Sequence, residues 1–287
     1  MGVFKRAAKR LATVPLLGRA LLLPYRLWIA LGYAGAPTRQ LLVWLLRSRE
    51  YTNFTYPLTS LSRSYLAAFV ANVAGVAPAE SERYLRELEE DGDLRERIAE
   101  RMRLSPRRAF SDPVVEYGRR LGWYAIVRAT KPRVIVETGV EKGLGACVLT
   151  AALARNAREG HPGRYYGTDI DPQAGWLMPA EQRAQGEILY GDSLATLAAF
   201  PGPIDLFIHD SDHTEAYEAA EYAAVEAKLS PQAIVLSDNA RVTGALLDFA
   251  RRTQRRFHFY AEFPDRHWYP GAGIGVALPH KQGDGVA

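Results

Sequence analysis

The sequence predicts an α/β chain: a doubly wound, mostly parallel sheet of seven strands with an N-terminal helical extension. Three observations predict it. From residue 134 onward, short β-branched or aromatic runs alternate with helical patterns, as in parallel strands joined by crossover helices. The first run, Val134, Ile135 and Val136, is apolar without alternation and reads as a strand buried on both faces. Gly139, Gly143 and Gly145 follow it before a helical pattern begins at Ala146. Glycine is needed where backbone turns sharply or lets a ligand approach closely.

In order along the chain, residues 3–15 place Val3, Phe4, Ala7, Ala8, Leu11 and Val14 on one helical face, with Lys5, Arg6, Lys9 and Arg10 opposite. That pattern suits a helix lying on an anionic membrane surface. Residues 16–31 and 41–46 are more apolar and include Trp28 and Trp44, but Arg19, Arg26 and two prolines interrupt them. No charge-free apolar run reaches the roughly 18 residues of a spanning helix. The break at Arg19 and Pro24 also argues against a signal peptide. Residues 1–50 therefore read as a basic, apolar helical arm. Peripheral membrane contact through residues 1–49, or packing on the core or on a second copy of the chain, would each suit it.

Residues 51–111 read as a helical cap region. It has a helix over 60–73 and a densely charged, solvated hairpin over 80–103, broken at Gly92 and Asp93. Residues 112–287 then form the α/β domain. Asp112 and Pro113 are expected to open a helix running to Thr130. Strands are expected at 134–138, 165–169, 187–190, 204–209, 233–237, 257–263 and 273–278, with a helix near 242–253. The last two strands lie too close for a crossover helix, so the final one should run antiparallel.

Composition sets outer bounds. A chain of 287 residues, 48% of them apolar, can bury one large α/β core with an appendage. Its single cysteine, Cys147, excludes an internal disulfide and suits a reducing, cytoplasmic setting, with the inner face of a membrane open through the arm. Residues 1–49 carry nine Lys and Arg and no acid; removing those nine from 36 leaves 27 bases against 32 acids. The basic balance thus belongs to the arm.

The chemistry-bearing residues fall at consecutive strand ends, where doubly wound sheets bind ligands. Glu137 ends the first strand before the glycine loop. The spacing Gly-x-x-x-Gly-x-Gly differs from the pyrophosphate-cradling Gly-x-Gly-x-x-Gly. A carboxylate before such a loop suits a cationic, hydroxylated ligand without phosphate, such as S-adenosylmethionine (SAM). Asp169, ending the second strand, can accept both hydroxyls of a ribose, and Asp171 with Pro172 would cap the next helix. Asp192 and Ser193, after the third, can meet an adenine amino group. Asp210 and Asp238 with Asn239 end the fourth and fifth strands as hard oxygen donors for a divalent ion such as Mg²⁺. Asp212 with Glu215 as a capping box, and Asp238 with Asn239 as a turn, are the alternatives. His213, three residues past Asp210 at the start of the next helix, could take a proton near neutral pH; a surface histidine is the alternative. His209, within the strand, reads as structural.

The order Glu137-x-Gly139-x-x-x-Gly143, Asp169-Ile170-Asp171-Pro172, Asp210 and Asp238-Asn239 resembles class I SAM-dependent methyltransferases. It is most similar to metal-dependent O-methyltransferases of the catechol and macrolide-sugar types, over roughly residues 113–279. Gly145 departs from the serine frequent in the catechol type. The resemblance implies a Rossmann-like methyltransferase fold. It implies SAM held by Glu137, Thr138, Gly139, Gly143, Asp169, Ile170, Asp192, Ser193 and Asp210, and a divalent cation on Asp210, Asp238 and Asn239. His213 stands where sugar-modifying members place a general base, with Asp210 its catalytic neighbour.

The expected activity is O-methylation of a small-molecule or saccharide acceptor. A metal-dependent hydrolase and a non-catalytic SAM-binding or membrane-associated protein are the alternatives. Nucleic acid is not the expected acceptor, since no Asn-Pro-Pro-Tyr-type sequence grips a flipped base.

Overall fold

A computed structural model describes residues 18–52 and 54–280. The amphipathic pattern at 3–15 lies outside the described residues. The chain divides into two compact units, one up to Ser48 together with Arg266–Tyr269, the other Arg49–Asp265 together with the chain from Pro270.

The first unit contains helix α1 (Gly18–Arg47), with Pro24 and Pro37 inside it. The two apolar stretches separated in the sequence reading are thus one helix. Leu23, Leu27, Trp28, Leu31, Tyr33, Leu42, Leu45 and Leu46 are exposed along it. Trp44 packs against Trp268 at 5.2 Å between ring centroids. No described helix is long and apolar enough to cross a membrane.

The second unit begins with α2 (Ser60–Ala74), α3 (Pro78–Glu89), α4 (Gly92–Leu104) and α5 (Arg120–Thr130). β1 (Val134–Thr138), α6 (Leu144–Arg158), β2 (Arg164–Asp169), β3 (Gly186–Tyr190), α7 (Ser193–Ala199) and β4 (Ile204–His209) follow. The chain continues through α8 (Glu215–Val225), β5 (Leu229–Asp238), α9 (Ala245–Arg252), β6 (Arg256–Tyr260) and β7 (Ile274–Leu278). The strands form one seven-stranded sheet in the order β3-β2-β1-β4-β5-β7-β6, with β7 antiparallel to both its neighbours. This is the doubly wound sheet expected, and its order reverses between β1 and β4.

Strand parity fixes what each strand end faces. Ile135, Leu206, Ile208, Ile234 and Leu236 join the core cluster that contains Trp123 and Ile126 of α5. Val136, Phe207 and Val235 join the opposite cluster, with Tyr222 of α8. Because strand side chains alternate, Glu137 and Asp238 continue the α5 side. Thr138, His209 and Ser237 continue the α8 side.

Four local expectations are corrected. Asp112 caps no helix, since α5 begins eight residues later and Asp112 Oδ1 instead accepts the Arg49 N–H at 2.8 Å. Gly118, at φ 52° just before α5, adopts a left-handed conformation that ends any earlier helix. The 80–103 hairpin is only half solvated, because Leu85, Leu88, Leu94 and Ile98 are buried; its second helix is capped by Asp91, which accepts the Leu94 N–H at 2.9 Å. Asp171 opens a turn rather than a helix, accepting the Gln173 N–H at 2.9 Å and pairing with Arg107 at 2.6 Å. His213 precedes α8 instead of lying in its first turn, and Asp212 accepts the Thr214 N–H at 2.8 Å in place of a capping box.

Candidate active site

A cavity of about 450 Å³ opens at the carboxyl ends of β1, β2, β3 and β4, where the strand order reverses. Six of the nine residues expected to hold the cofactor line it: Gly139, Asp169, Ile170, Asp192, Ser193 and Asp210. Gly139 is fixed by close approach. Its φ is 79°, and a Cβ there would stand 2.0 Å from the Asp210 carbonyl oxygen. Asp169 is oriented by two backbone N–H donors, Glu141 at 2.7 Å and Asp171 at 2.8 Å. Ile170 is 76% exposed, an apolar side chain left uncovered at the rim. Asp192 caps α7 through Ala195 N–H at 3.0 Å and accepts the Tyr217 hydroxyl at 3.1 Å.

Glu137, Thr138 and Gly143 are not part of this lining, and for the first two parity explains why. Glu137 turns toward α5 and is almost wholly buried, accepting the Tyr165 hydroxyl at 2.5 Å. Burial, reinforced by the charge of Asp210, pushes its carboxyl up to about 8. Thr138 turns the other way and donates to Glu221 at 2.7 Å. Gly143 meets Gly175, whose Cα would lie 2.7 Å from an added Cβ.

Sequence reasoning missed Tyr217 and Ser211, which line the cavity and tie it to the buried polar cluster around Glu221. Ser193 donates to Glu221, as does Ser211 at 2.7 Å, and His209 Nδ1 lies 2.7 Å away. Tyr217, in the first turn of the helix after Asp210, was the available signal. Asp212, read in the sequence only as one half of a capping box, also lines the cavity.

Residues 136–240 match the family model described as a methyltransferase domain. This segment is thus similar in sequence to methyltransferase domains. Among curated proteins none matches the chain by sequence. A candidate O-methyltransferase from Klebsiella pneumoniae shares the fold, with TM-score 0.51 at 14% identity over 69% of this chain and 96% of that one. The O-methyltransferase TomG from Streptomyces achromogenes, in complex with SAM, has TM-score 0.48 at 18% identity over 67% and 91% of the two chains. A methyltransferase from Geobacter sulfurreducens has TM-score 0.46 at 18% identity over 64% and 89%.

Beside the cavity, two of the three expected metal ligands, Asp210 and Asp238, converge with His213, which the sequence reading assigned as a base. One ligand atom each from Asp210, His213 and Asp238 lies within 4.8 Å of the others. Their partners, however, are already organic. Arg119 takes both oxygens of Asp238, Nε reaching Oδ1 at 2.5 Å and Nη2 donating to Oδ2. Its Nη1 donates to Tyr56 at 2.8 Å and lies 3.5 Å from Glu262. Arg120 Nη2 lies 3.5 Å from Asp210 Oδ2. Asn239, at φ 57°, turns its amide to His213 Nε2 at 2.6 Å. Freeing Asp238 for an ion would break a buried, forked pair, at a cost of about 3–5 kcal/mol. The donor set therefore does not fit the divalent ion that the sequence suggested on Asp210, Asp238 and Asn239.

The same charges set proton affinities. Burial opposes ionisation of Asp238, but Arg119 outweighs it and holds the carboxyl below the usual range. Asp210 is pushed up by burial and by the charge of Asp238. His213 lies 3.6 Å from Asp210; burial disfavours its cation, yet the carboxylate prevails and raises its proton affinity.

Proposed function

We propose that the chain transfers a methyl group from SAM to a hydroxyl oxygen of a small-molecule or saccharide acceptor, with His213 as general base. One observation carries this reading: residues from three separate strand ends, Asp169, Asp192 and Asp210, share one cavity with Gly139, and His213 stands beside it. Asp169 would accept the ribose hydroxyls, Ile170 would cover the adenine face, and Asp192 would meet the adenine amino group. Bound there, SAM would supply a sulfonium methyl to the acceptor oxygen and keep the carbon–sulfur electron pair on sulfur, while His213 would take the acceptor's proton. Asp210 then faces an imidazolium, which its negative charge stabilises. In the resting ring the Asn239 amide donates to Nε2; that bond breaks as Nε2 takes the proton, and the domain's main contribution is alignment. No step uses a metal, since Asp238 is held by Arg119.

Calorimetric titration with S-adenosylhomocysteine (SAH) tests the reading. One site per chain is expected, weakened by about 10–100-fold in Asp169→Ala, the loss of one or two charge-assisted hydrogen bonds. Absence of heat with both SAM and SAH would sink it.

Helix α1, in our reading, rests on an anionic bilayer surface. Its exposed Leu23, Leu27, Trp28, Leu31, Leu42, Leu45 and Leu46 offer apolar area, and residues 1–49 hold no acid. The full chain should float with vesicles rich in anionic phospholipid and not with zwitterionic ones, and deletion of residues 1–47 should abolish flotation. Retained flotation, or dimerisation lost in the deletion, would assign the arm another role.

A further inference from the structure

We infer that Arg119 is the resident cation of the acid cluster beside the cavity, so that Asp210, Asp238 and Asn239 bind no divalent ion. This rests on the methyltransferase reading above and specifies how its acceptor side works. Four independent features lead to it.

The first is fork geometry. A guanidinium matches a carboxylate with two parallel N–H donors, and Arg119 engages both oxygens of Asp238 in this way. Neither oxygen of Asp238 is left facing the cluster alone. The second is enclosure. Arg119 is 6% exposed, and its third nitrogen is taken up by Tyr56, so the side chain is built into the site and has no solvent position nearby.

The third is charge. Asp210, Asp238 and Glu262 face Arg119, Arg120 and the His213 imidazole. A divalent ion added to that set would leave a buried cluster with excess positive charge. The fourth is placement. Arg119 and Arg120 open α5, an N-terminus with no acid in its first turn. Bases there oppose the helix dipole, so their position answers to the carboxylates opposite and not to the helix. Parity completes the match, because Asp238 continues the strand face that α5 covers.

The consequence is a division of labour. Asp238 is a positioning residue that anchors Arg119, and Asp210 is left to His213.

The test is manganese titration of the chelator-treated full chain in the presence of SAH, followed by the electron paramagnetic resonance of free Mn²⁺. Equimolar wild-type chain should leave the free-ion signal undiminished. Arg119→Met, which uncovers Asp238, should remove at least about half of it. Wild-type chain that takes up one Mn²⁺, and loses it in Asp238→Asn, overturns the inference. If Arg119→Met does not fold, the wild-type and Asp238→Asn titrations still decide. SAH calorimetry on the same sample separates the two readings. Loss of SAH binding would fault the methyltransferase proposal, whereas Mn²⁺ uptake with SAH bound would fault only the role of Arg119.

Discussion

Replacing His213 with alanine is expected to slow methyl transfer by about 10²–10⁴-fold, the range for removing a positioned general base. SAH affinity should stay essentially unchanged, because His213 is beside the cavity and not among its lining residues. The rate is read as label passing from tritiated SAM to an acceptor hydroxyl. The pH profile gives the second signature. Burial alone would favour neutral imidazole, but Asp210 at 3.6 Å raises its proton affinity above the ordinary value of 6.5. The active form is the neutral ring, so the rate should climb with pH along a limb displaced upward from that value. Asp210→Asn removes the charge that displaces it, and the limb should move toward lower pH. A profile identical in His213→Ala and wild type would take the proton transfer away from this residue.

The glycine loop and the strand-end acids were legible because each is local. Val134–Val136 announces a buried strand by composition, and Gly139 a close approach. The seven strands follow from the same alternation, and their antiparallel end from the short gap between β6 and β7. Which acids share the cavity was harder, since it depends on strand parity at the very last residue. Glu137 and Thr138 adjoin Gly139 in sequence, yet alternation sends them to opposite faces. Arg119 was out of reach for another reason. It lies 119 positions from Asp238, and a search for basic partners near the acids in sequence does not find it. The one local hint was a pair of arginines opening an apolar helix, where the helix dipole disfavours them. Loop helices misjudged at Asp112 and Asp171 share a cause: both carboxylates are taken by distant partners, Arg49 and Arg107, before they can cap.

Glu137→Gln should flatten the pH dependence of stability. Glu137 is fully enclosed, with Gly145 required beside it because a Cβ there would come 2.2 Å from Oε1. Burial, aided by Asp210 and opposed by the Tyr165 hydrogen bond, pushes its carboxyl up to about 8. Folded chain therefore keeps this proton where unfolded chain has released it. Native protein binds more protons across that window, so stability falls as pH rises from the ordinary carboxylate value of 4.5 toward about 8, and the loss ends there. The slope is about 1.4 kcal/mol per pH unit and the whole penalty roughly 5 kcal/mol. Glutamine keeps the shape and the acceptor for Tyr165 but has no proton to lose. Urea midpoints at about pH 5 and about pH 8 should differ less in the variant than in wild type, the remaining difference coming from Asp210 and His213, whose proton affinities are also raised. SAH binding should survive, since Glu137 faces α5 and not the cavity. A variant that keeps the wild-type slope and loses SAH instead would mean the carboxylate is ionised and turned toward the ligand, which is the arrangement its place before the glycine loop first suggested.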